Sequence, residues 1–262
     1  MSKILKRFKI RVVIRRYEVI LISSVMLLSG AVMPSSWEPP FRSYPVPHVE
    51  PPPTHPWIAL TFDDGPHPRT EALLSVLREA HVPATFFVVG KMADRYPQII
   101  RDIARDGHEL ANHTYTHRNL SRLPSDEVID ELEQTREVVQ RLTGQDAYLF
   151  RPPGGDFSRR TVRLATQSGY RMVLWNVLTD DVEGASPRHI RRRILQGAQD
   201  GAIILMHSGI QNTIDILPGV IAELRQRGYN FVTVSALLGL PRTRPTPPSE
   251  TPLVQTASDQ QY

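Results

Sequence analysis

The chain has 262 residues, a formal net charge of +4 and no cysteine. A chain of this length can bury a core without cross-links, and the absence of thiols excludes disulfides and thiolate metal sites. Any metal therefore needs His, Asp or Glu ligands. Seven basic residues lie within the first sixteen positions; because the excess is confined to this segment, we expect no nucleic-acid partner.

Residues 1–33 form a basic segment that leads into an uncharged apolar run over 19–33. A basic flank before an apolar run is typical of an export signal, and Ser29, Gly30 and Ala31 are small residues suited to signal cleavage. The run is shorter than the roughly 20 residues of a membrane span, but a retained anchor stays open beside a cleaved signal. Both alternatives predict an exported protein, either secreted or anchored to the cytoplasmic membrane through this segment.

Two proline-dense segments flank the rest of the sequence. Residues 34–56 contain nine prolines, and a second proline-rich stretch runs from 241 to 262. Dense proline removes backbone donors and favours extended polyproline II. The sequence therefore predicts a linker at 34–56, a folded body at 57–240 and a disordered tail at 241–262.

Within the body, short apolar runs alternate with amphipathic helical patterns, the clearest from Ser125 to Leu142 with Ser125 as N-cap and Gly144 beyond the end. Repeated strand–helix alternation predicts an α/β fold with a parallel sheet. No glycine-rich nucleotide fingerprint follows the first run, so a (β/α) barrel of about seven strands with outer helices is favoured over an open sheet. The apolar runs are 58–62, 84–89, 108–111, 148–150, 170–177, 202–206 and 231–234.

The first apolar run ends in Asp63 and Asp64, followed by Gly65 and Pro66. This pattern predicts a buried strand that ends in a tight turn. Neighbouring side chains on extended backbone point to opposite sides, so we expect one carboxylate to bind a cation and the other to move a proton. A solvated Asp-Asp turn is the alternative for an isolated pair.

Reactive side chains follow five of the predicted strands. In a barrel the carboxyl ends of the strands share one face, which predicts that these side chains meet at one mouth. They are Asp63, Asp64, His113, His117, Arg151, Asp181 and His207.

His113 and His117 stand four residues apart. On a helical turn this spacing places both imidazoles on one side, although paired histidines are also common surface residues. Combined with Asp64 they form an Asp-His-His set with open positions, which is typical of a catalytic metal site. Oxygen and imidazole ligands favour Zn²⁺, while Co²⁺, Ni²⁺ or Mn²⁺ also suit such a site.

Five ordered motifs cover most of the body. They are TFDDGP at 61–66, HTYTH at 113–117, RPPGG at 151–155, the segment 175–181 and LMH at 205–207. Together, over about residues 57–234, they resemble the motifs of the NodB-homology polysaccharide deacetylases, carbohydrate esterase family 4. The resemblance implies a distorted barrel that removes N- or O-acetyl groups from sugar polymers such as peptidoglycan, chitin or xylan.

The resemblance also implies a role for each matched residue. Asp63 is the general base and is positioned by Arg151, while His207 is the general acid and is tuned by Asp181. Asp64, His113 and His117 are the metal ligands. For the oxyanion and the acetyl methyl we expect the 151–155 turn with Gly154, and walls from Trp175 and Leu205. An ordinary place in the barrel core is the alternative for Trp175 and Leu205.

Three positions depart from the family pattern. Gly154 stands where the family usually has a large residue, and Leu178 and Val182 stand where it often has Asp and Trp. These departures concern the choice of substrate more than the reaction.

The sequence therefore predicts an exported, metal-dependent hydrolase that removes N-acetyl, or also O-acetyl, groups from peptidoglycan or a chitin-like N-acetylglucosamine polymer. A catalytically inactive glycan-binding envelope protein and a small-molecule metal-dependent amidohydrolase are the alternatives. We expect a monomer, because no coiled coil or interface stripe is evident in the sequence.

Overall fold

The computed structural model describes residues 55–244, so the predicted export segment, most of the proline-rich linker and most of the tail lie outside the described residues. Eight parallel strands form one sheet in the order β5-β4-β3-β2-β1-β7-β6, with β8 beside β1. The strands are β1 (Trp57–Gly65), β2 (Thr85–Val88), β3 (Glu109–Asn112), β4 (Leu149–Phe150), β5 (Arg171–Met172), β6 (Val177–Leu178), β7 (Ala202–His207) and β8 (Asn230–Phe231). With helices around this sheet, the predicted distorted (β/α) barrel is confirmed.

Eight α-helices accompany the strands in the described part of the chain. They are α1 (Thr70–Glu79), α2 (Gly90–Arg95), α3 (Pro97–Arg105), α4 (Ser125–Thr143), α5 (Arg159–Gln167), α6 (Pro187–Gly197), α7 (Gln211–Gln226) and α8 (Val234–Leu238). None of the helices within residues 55–244 has the length and apolar character needed to cross a membrane.

Helix α4 ends where the sequence predicted but begins differently. Gly144 takes the left-handed conformation at φ +76° and ends the helix. Pro124, not Ser125, is the N-cap, and no side chain caps this end. The predicted serine cap was therefore wrong, because Ser125 already occupies the first helical position.

The alternation of side chains along β1 separates two packed regions. Ile58, Leu60 and Phe62 are fully buried in a cluster with residues of α1, α3 and α7, whereas Ala59 belongs to the second cluster. Because side chains alternate, Thr61 lies on the Ala59 side of the strand, as does Asp63. The polar residues at the end of β1 therefore face the barrel interior.

The apolar run 170–177 was predicted as one strand but forms two, β5 and β6. Between them the carbonyl groups of Val173 and Leu174 accept hydrogen bonds from Nε (3.3 Å) and Nη2 (3.2 Å) of Arg151. The last run is also shorter than predicted, because Thr233 caps α8 with its side chain and the chain turns into helix at Val234.

Residues 241–244 pack on the barrel. The Tyr148 hydroxyl donates to the Pro241 carbonyl (2.6 Å), and the Arg244 amide donates to Asp146 Oδ2 (2.7 Å). Arg244 Nη1 donates to Glu133 Oε1 and to the Ser168 carbonyl, both at 2.8 Å. The packed part of the chain therefore continues past position 240.

Candidate active site

Asp63 and Asp64 lie at an irregularity of β1. The pairing of β1 with β2 shifts register between Phe62 and Gly65, and Asp64 has φ +66°. His113 Nε2 lies 3.9 Å from Asp63 Oδ2 and 3.2 Å from Asp64 Oδ1, so both carboxylates face one site. The expectation of opposite directions was wrong, because the bulge interrupts the strand alternation on which it relied.

The loop after β3 carries His113 and His117. Thr114 at φ +67° and His117 at φ +60° interrupt the backbone, so the two imidazoles are brought together by a loop and not by the predicted helical turn. His113 Nε2 and His117 Nε2 lie 3.2 and 3.1 Å from Asp64 Oδ1. Ligand atoms of Asp64, His113 and His117 all lie within 4.8 Å of one another.

The tautomer of His113 is set by its backbone partner. The Arg151 carbonyl accepts a hydrogen bond from Nδ1 (2.8 Å), so in the neutral ring Nε2 presents a lone pair to Asp64 Oδ1. Asp64 Oδ1 is buried without a hydrogen-bond partner among the described residues. Two lone pairs this close need a cation or a proton between them, so the three side chains fit a bound metal ion.

The charges around Asp64 reinforce this arrangement. Burial raises the pKa of Asp64, but the contacts with His113 and His117 outweigh it and hold the pKa well below its usual range. The contact with Asp64 raises the pKa of His117, against the opposing effect of burial. The carboxylate is therefore ionised at neutral pH and available as a ligand.

Arg151 is wholly buried and holds Asp63. Its Nη1 donates to Asp63 Oδ1 (2.7 Å) and to Thr61 Oγ1 (2.9 Å). The guanidinium carbon lies 3.9 Å from the centre of the Phe87 ring and 5.5 Å from that of Trp175. With Nε and Nη2 bound to carbonyls, the arginine fixes the orientation of one carboxylate oxygen and leaves Asp63 Oδ2 unbound.

His207 and Asp181 form a second pair on the other side of β1. The register pairs Asp63 with His207, and His207 Nδ1 contacts Asp181 Oδ1 at 2.7 Å. Burial lowers the pKa of His207, but the contact with Asp181 outweighs it and raises the pKa above its ordinary value. Nε2 of His207 is left to face the site, 3.9 Å from Asp64 Oδ2.

Sequence comparison identifies relatives of this chain. The chain is 35% identical over 192 residues to a peptidoglycan-N-acetylglucosamine deacetylase of Bacillus cereus, and the match covers 71% of this chain and 70% of that protein. This chain belongs to the polysaccharide deacetylase family. A family profile described as polysaccharide deacetylase matches residues 50–173. The membership and the enzyme class predicted from the five motifs are confirmed.

Two further comparisons place the chain within the polysaccharide deacetylases. The solved structure of the Bc1960 peptidoglycan N-acetylglucosamine deacetylase matches with a TM-score of 0.71 and 35% identity, over 74% of this chain and 92% of that chain. Peptidoglycan-N-acetylmuramic acid deacetylase PdaC of Bacillus subtilis is 34% identical over 181 residues, which cover 69% of this chain and 38% of PdaC. The chain thus spans about two fifths of PdaC's length, and the two names specify different sugars.

Gly154 and Trp175 lie at the turn that follows Arg151. Gly154 is exposed, has φ +65°, and its amide has no partner among the described residues. A large residue, which polysaccharide deacetylases usually have here, would be strained in this conformation. A Cβ on Gly155 would lie 2.6 Å from the Trp175 ring, so the indole packs directly on the turn.

The other residues that the sequence analysis related to the substrate lie on the rim and the inner face. Leu205 is buried and pairs in register with Thr61, on the same strand as His207. Leu178 and Val182 are 37% and 55% exposed, on either side of the segment that carries Asp181. The two departures from the family pattern therefore present small apolar surfaces beside the His207–Asp181 pair.

Sequence reasoning missed three polar residues that orient the site. The Thr213 hydroxyl donates to Asp181 Oδ2 (2.8 Å), and Thr61 supports Arg151. Glu131 of α4 binds the loop between the two histidines. The strand alternation of β1 could have indicated Thr61, whereas Thr213 and Glu131 lie on helices far along the chain and show no signal of their own.

Proposed function

We propose that the chain is an exported, metal-dependent deacetylase that removes N-acetyl groups from an N-acetylglucosamine-containing envelope polysaccharide, with peptidoglycan as the first candidate and a chitin-like polymer as the second. The carrying observation is that Asp64, His113 and His117 converge within 4.8 Å beside two buried pairs, Asp63–Arg151 and Asp181–His207. The similarity to enzymes named as peptidoglycan deacetylases supports the choice of polymer.

Asp64, His113 and His117 would hold a divalent cation, for which Zn²⁺ is favoured and Co²⁺, Ni²⁺ and Mn²⁺ are alternatives. A cation bound by such a set would supply an activated water by lowering the pKa of that water to about 7, and would polarise a carbonyl oxygen. The Arg151 carbonyl keeps His113 in the tautomer that can serve as a ligand.

Asp63 acts as the general base through Oδ2. Its Oδ1 is occupied by Arg151 at 2.7 Å, while Oδ2 accepts no hydrogen bond from the described residues and faces the ligand side of the site, 3.9 Å from His113 Nε2. The arginine therefore selects which oxygen takes the proton. Side-chain general bases of this kind contribute typically 10²–10⁴-fold to a rate.

His207 acts as the general acid through Nε2. Asp181 accepts a hydrogen bond from Nδ1 and raises the pKa of the imidazole above its ordinary value, which favours the ring with a proton on Nε2. An amine leaves only when its nitrogen is protonated, and His207, beside Asp63 on the neighbouring strand and with Nε2 facing the site, can supply that proton.

The turn at residues 151–155 binds the oxyanion, and the inner wall of the barrel contacts the acetyl group. The Gly154 amide, in a left-handed turn, has no acceptor among the described residues, and such backbone donors stabilise a developing oxyanion. Trp175 and Leu205 supply apolar walls for the acetyl methyl.

The remaining assignments are part of the same proposal. Residues 1–33 direct export as a cleaved signal or an anchor, and residues 34–56 are a linker. Residues 57–240 form the catalytic barrel, and residues 241–262 are a tail whose first four residues pack on the barrel. The protein acts as a monomer on a polysaccharide and contacts the membrane only if residues 1–33 are retained.

Acetate release tests this function. The purified protein is incubated with peptidoglycan, chitin oligomers, acetylated xylan and small N-acetyl amides, with and without a chelator. We expect release from the N-acetylglucosamine polymers that the chelator abolishes and Zn²⁺ or Co²⁺ restores. Release from small amides alone would indicate an amidohydrolase, and binding without release would indicate an inactive glycan-binding protein.

A further inference from the structure

Glu131 is a buried carboxylate that the proposed chemistry does not use. It lies on α4, is 6% exposed, and has no cationic partner within ion-pair distance among the described residues. Burial of a charge without a counter-charge is costly, so a carboxylate in this position needs a compensating interaction.

Both oxygens of Glu131 bind one residue of the loop that carries the histidines. The Thr116 amide donates to Oε2 at 2.7 Å, and the Thr116 hydroxyl donates to Oε1 in a short hydrogen bond. Thr116 directly precedes His117, whose backbone is in the left-handed conformation and whose ring is 44% exposed. Glu131 is therefore the side chain that holds the backbone next to the less enclosed of the two imidazoles.

Other contacts fix the loop as far as Tyr115, whose carbonyl accepts a hydrogen bond from the Lys91 amide (2.9 Å). The Gly90 amide donates to the Thr114 carbonyl (3.0 Å), the Thr114 amide donates to Asn112 Oδ1 (2.9 Å), and His113 is tied to the Arg151 carbonyl. Within residues 55–244, His117 has no hydrogen bond of its own apart from its contact with Asp64. Among the described residues, Glu131 is the one whose side chain binds Thr116, the residue directly before His117.

We propose that Glu131 is a positioning residue for the metal site: it orients His117 through Thr116, which it binds with both carboxylate oxygens. This inference rests on the proposed metal site. Partners of ligands commonly change metal affinity by 10–100-fold when they are removed.

Substitutions separate the hydrogen bonds from the charge. Glu131→Ala removes both. Glu131→Gln removes the charge but retains both hydrogen bonds, because the amide oxygen accepts from the Thr116 amide and the amide nitrogen donates to the hydroxyl. Thr116→Val removes the hydroxyl bond alone. Glu137→Ala is the matched control, since Glu137 is an exposed residue of the same helix.

The test measures the dissociation constant of Zn²⁺ by competition with a chromophoric chelator, and the visible spectrum of the Co²⁺ form, on the full chain. We expect Glu131→Ala to weaken binding about 10–100-fold and to alter the Co²⁺ spectrum, Thr116→Val and Glu131→Gln to weaken it less, and Glu137→Ala to match the wild type. Partial recovery in Glu131→Gln relative to Glu131→Ala identifies the hydrogen bonds as the cause.

The outcomes distinguish this inference from the proposed function. If the wild type binds no metal, the metal-dependent function fails and the inference fails with it. If the wild type binds metal and folded Glu131→Ala binds it equally well, the inference alone is overturned. If Glu131→Ala does not fold, wild-type affinity in both Glu131→Gln and Thr116→Val overturns it.

Discussion

Arg151 donates from Nη1 to Asp63 Oδ1 across 2.7 Å, and its side chain is fully buried while that of Asp63 is 4% exposed. The arginine is thus a buried, permanently charged partner of Asp63. Burial lowers the pKa of Arg151 and Asp63 opposes that shift. A pair of this kind fixes geometry, and the loss of one partner leaves the other charged and uncompensated.

We predict that Arg151→Met lowers the free energy of unfolding by about 3–5 kcal/mol and abolishes activity, because it leaves Asp63 buried without its partner. Urea unfolding with acetate release checks both effects. Arg118→Met is the control, since the Arg118–Glu127 pair is about half exposed and a surface pair contributes roughly 0–1 kcal/mol. Equal losses in the two variants would contradict a special role for the buried pair.

Asp63 and Asp64 are predicted to divide the chemistry. Asp64→Asn should fold normally, because asparagine tolerates φ +66°, but it should bind metal weakly, with activity partly restored by added Zn²⁺ or Co²⁺. Asp63→Asn should keep stoichiometric metal and lose turnover by about 10²–10⁴-fold whatever the metal concentration. Metal analysis and acetate release decide: metal loss in the Asp63 variant with retention in the Asp64 variant would reverse the roles.

His207→Ala is predicted to slow amide substrates by about 10²–10⁴-fold and activated aryl acetates far less, because an amine needs a proton to leave and an activated phenolate does not. The measurement is kcat/KM on both substrates. Thr213→Val, which removes one hydrogen bond to Asp181, should have a smaller effect than His207→Ala. Equal losses of His207→Ala on both substrates would show that the imidazole stabilises the oxyanion or the structure instead.

The sequence predicted those features that depend on pattern and order. Alternating apolar runs and helices gave the barrel, and the position of Arg151 and His207 after their strands placed them at the mouth. The predictions that were wrong failed because of local backbone conformations that the hydrophobic pattern does not indicate. The bulge at Asp64 and the left-handed residues of the histidine loop are backbone conformations that Asp and Thr adopt only in a particular tertiary setting.

Long-range hydrogen bonds account for the other differences. The run 170–177 is apolar enough for one strand. The buried guanidinium of Arg151, however, donates hydrogen bonds to the carbonyls of Val173 and Leu174, and these residues separate two short strands. The partner of Glu131 is fifteen residues away along the chain. Contacts of this separation leave no periodic signal in one sequence.

A fragment of residues 57–240 contains every residue of the site, and we predict that it folds and keeps activity. The contacts of Pro241 and Arg244 with Tyr148, Asp146 and Glu133 lead us to expect that a fragment of residues 57–244 is more stable, by about 1–2 kcal/mol. Thermal unfolding of the two fragments, with acetate release, checks this. Equal stability would show that residues 241–244 add nothing to the stability of the barrel. An inactive shorter fragment would show that these residues support the site.

The last prediction concerns His108, which is buried beside Phe86. Its Nδ1 accepts a hydrogen bond from the Ala84 amide (3.2 Å), and Nε2 has no partner among the described residues. Burial lowers the pKa of His108 to about 4, with Asp106 opposing the shift. Protonation would place a second proton on Nδ1 and break the bond to Ala84.

The sign of the effect follows from the two pKa values. Since the folded pKa is about 4 and the unfolded one about 6.5, the unfolded chain binds more protons between these values, so stability falls as the pH falls through this window. At pH 5 the loss from this group is about 2 kcal/mol.

His108→Asn keeps an acceptor for the Ala84 amide and removes the titration, so its unfolding free energy should fall less steeply from pH 7 to pH 4.5. Urea unfolding of both proteins in the presence of a chelator, which removes any contribution of bound metal, gives the comparison; parallel curves for the two proteins would exclude His108 as a source of acid sensitivity.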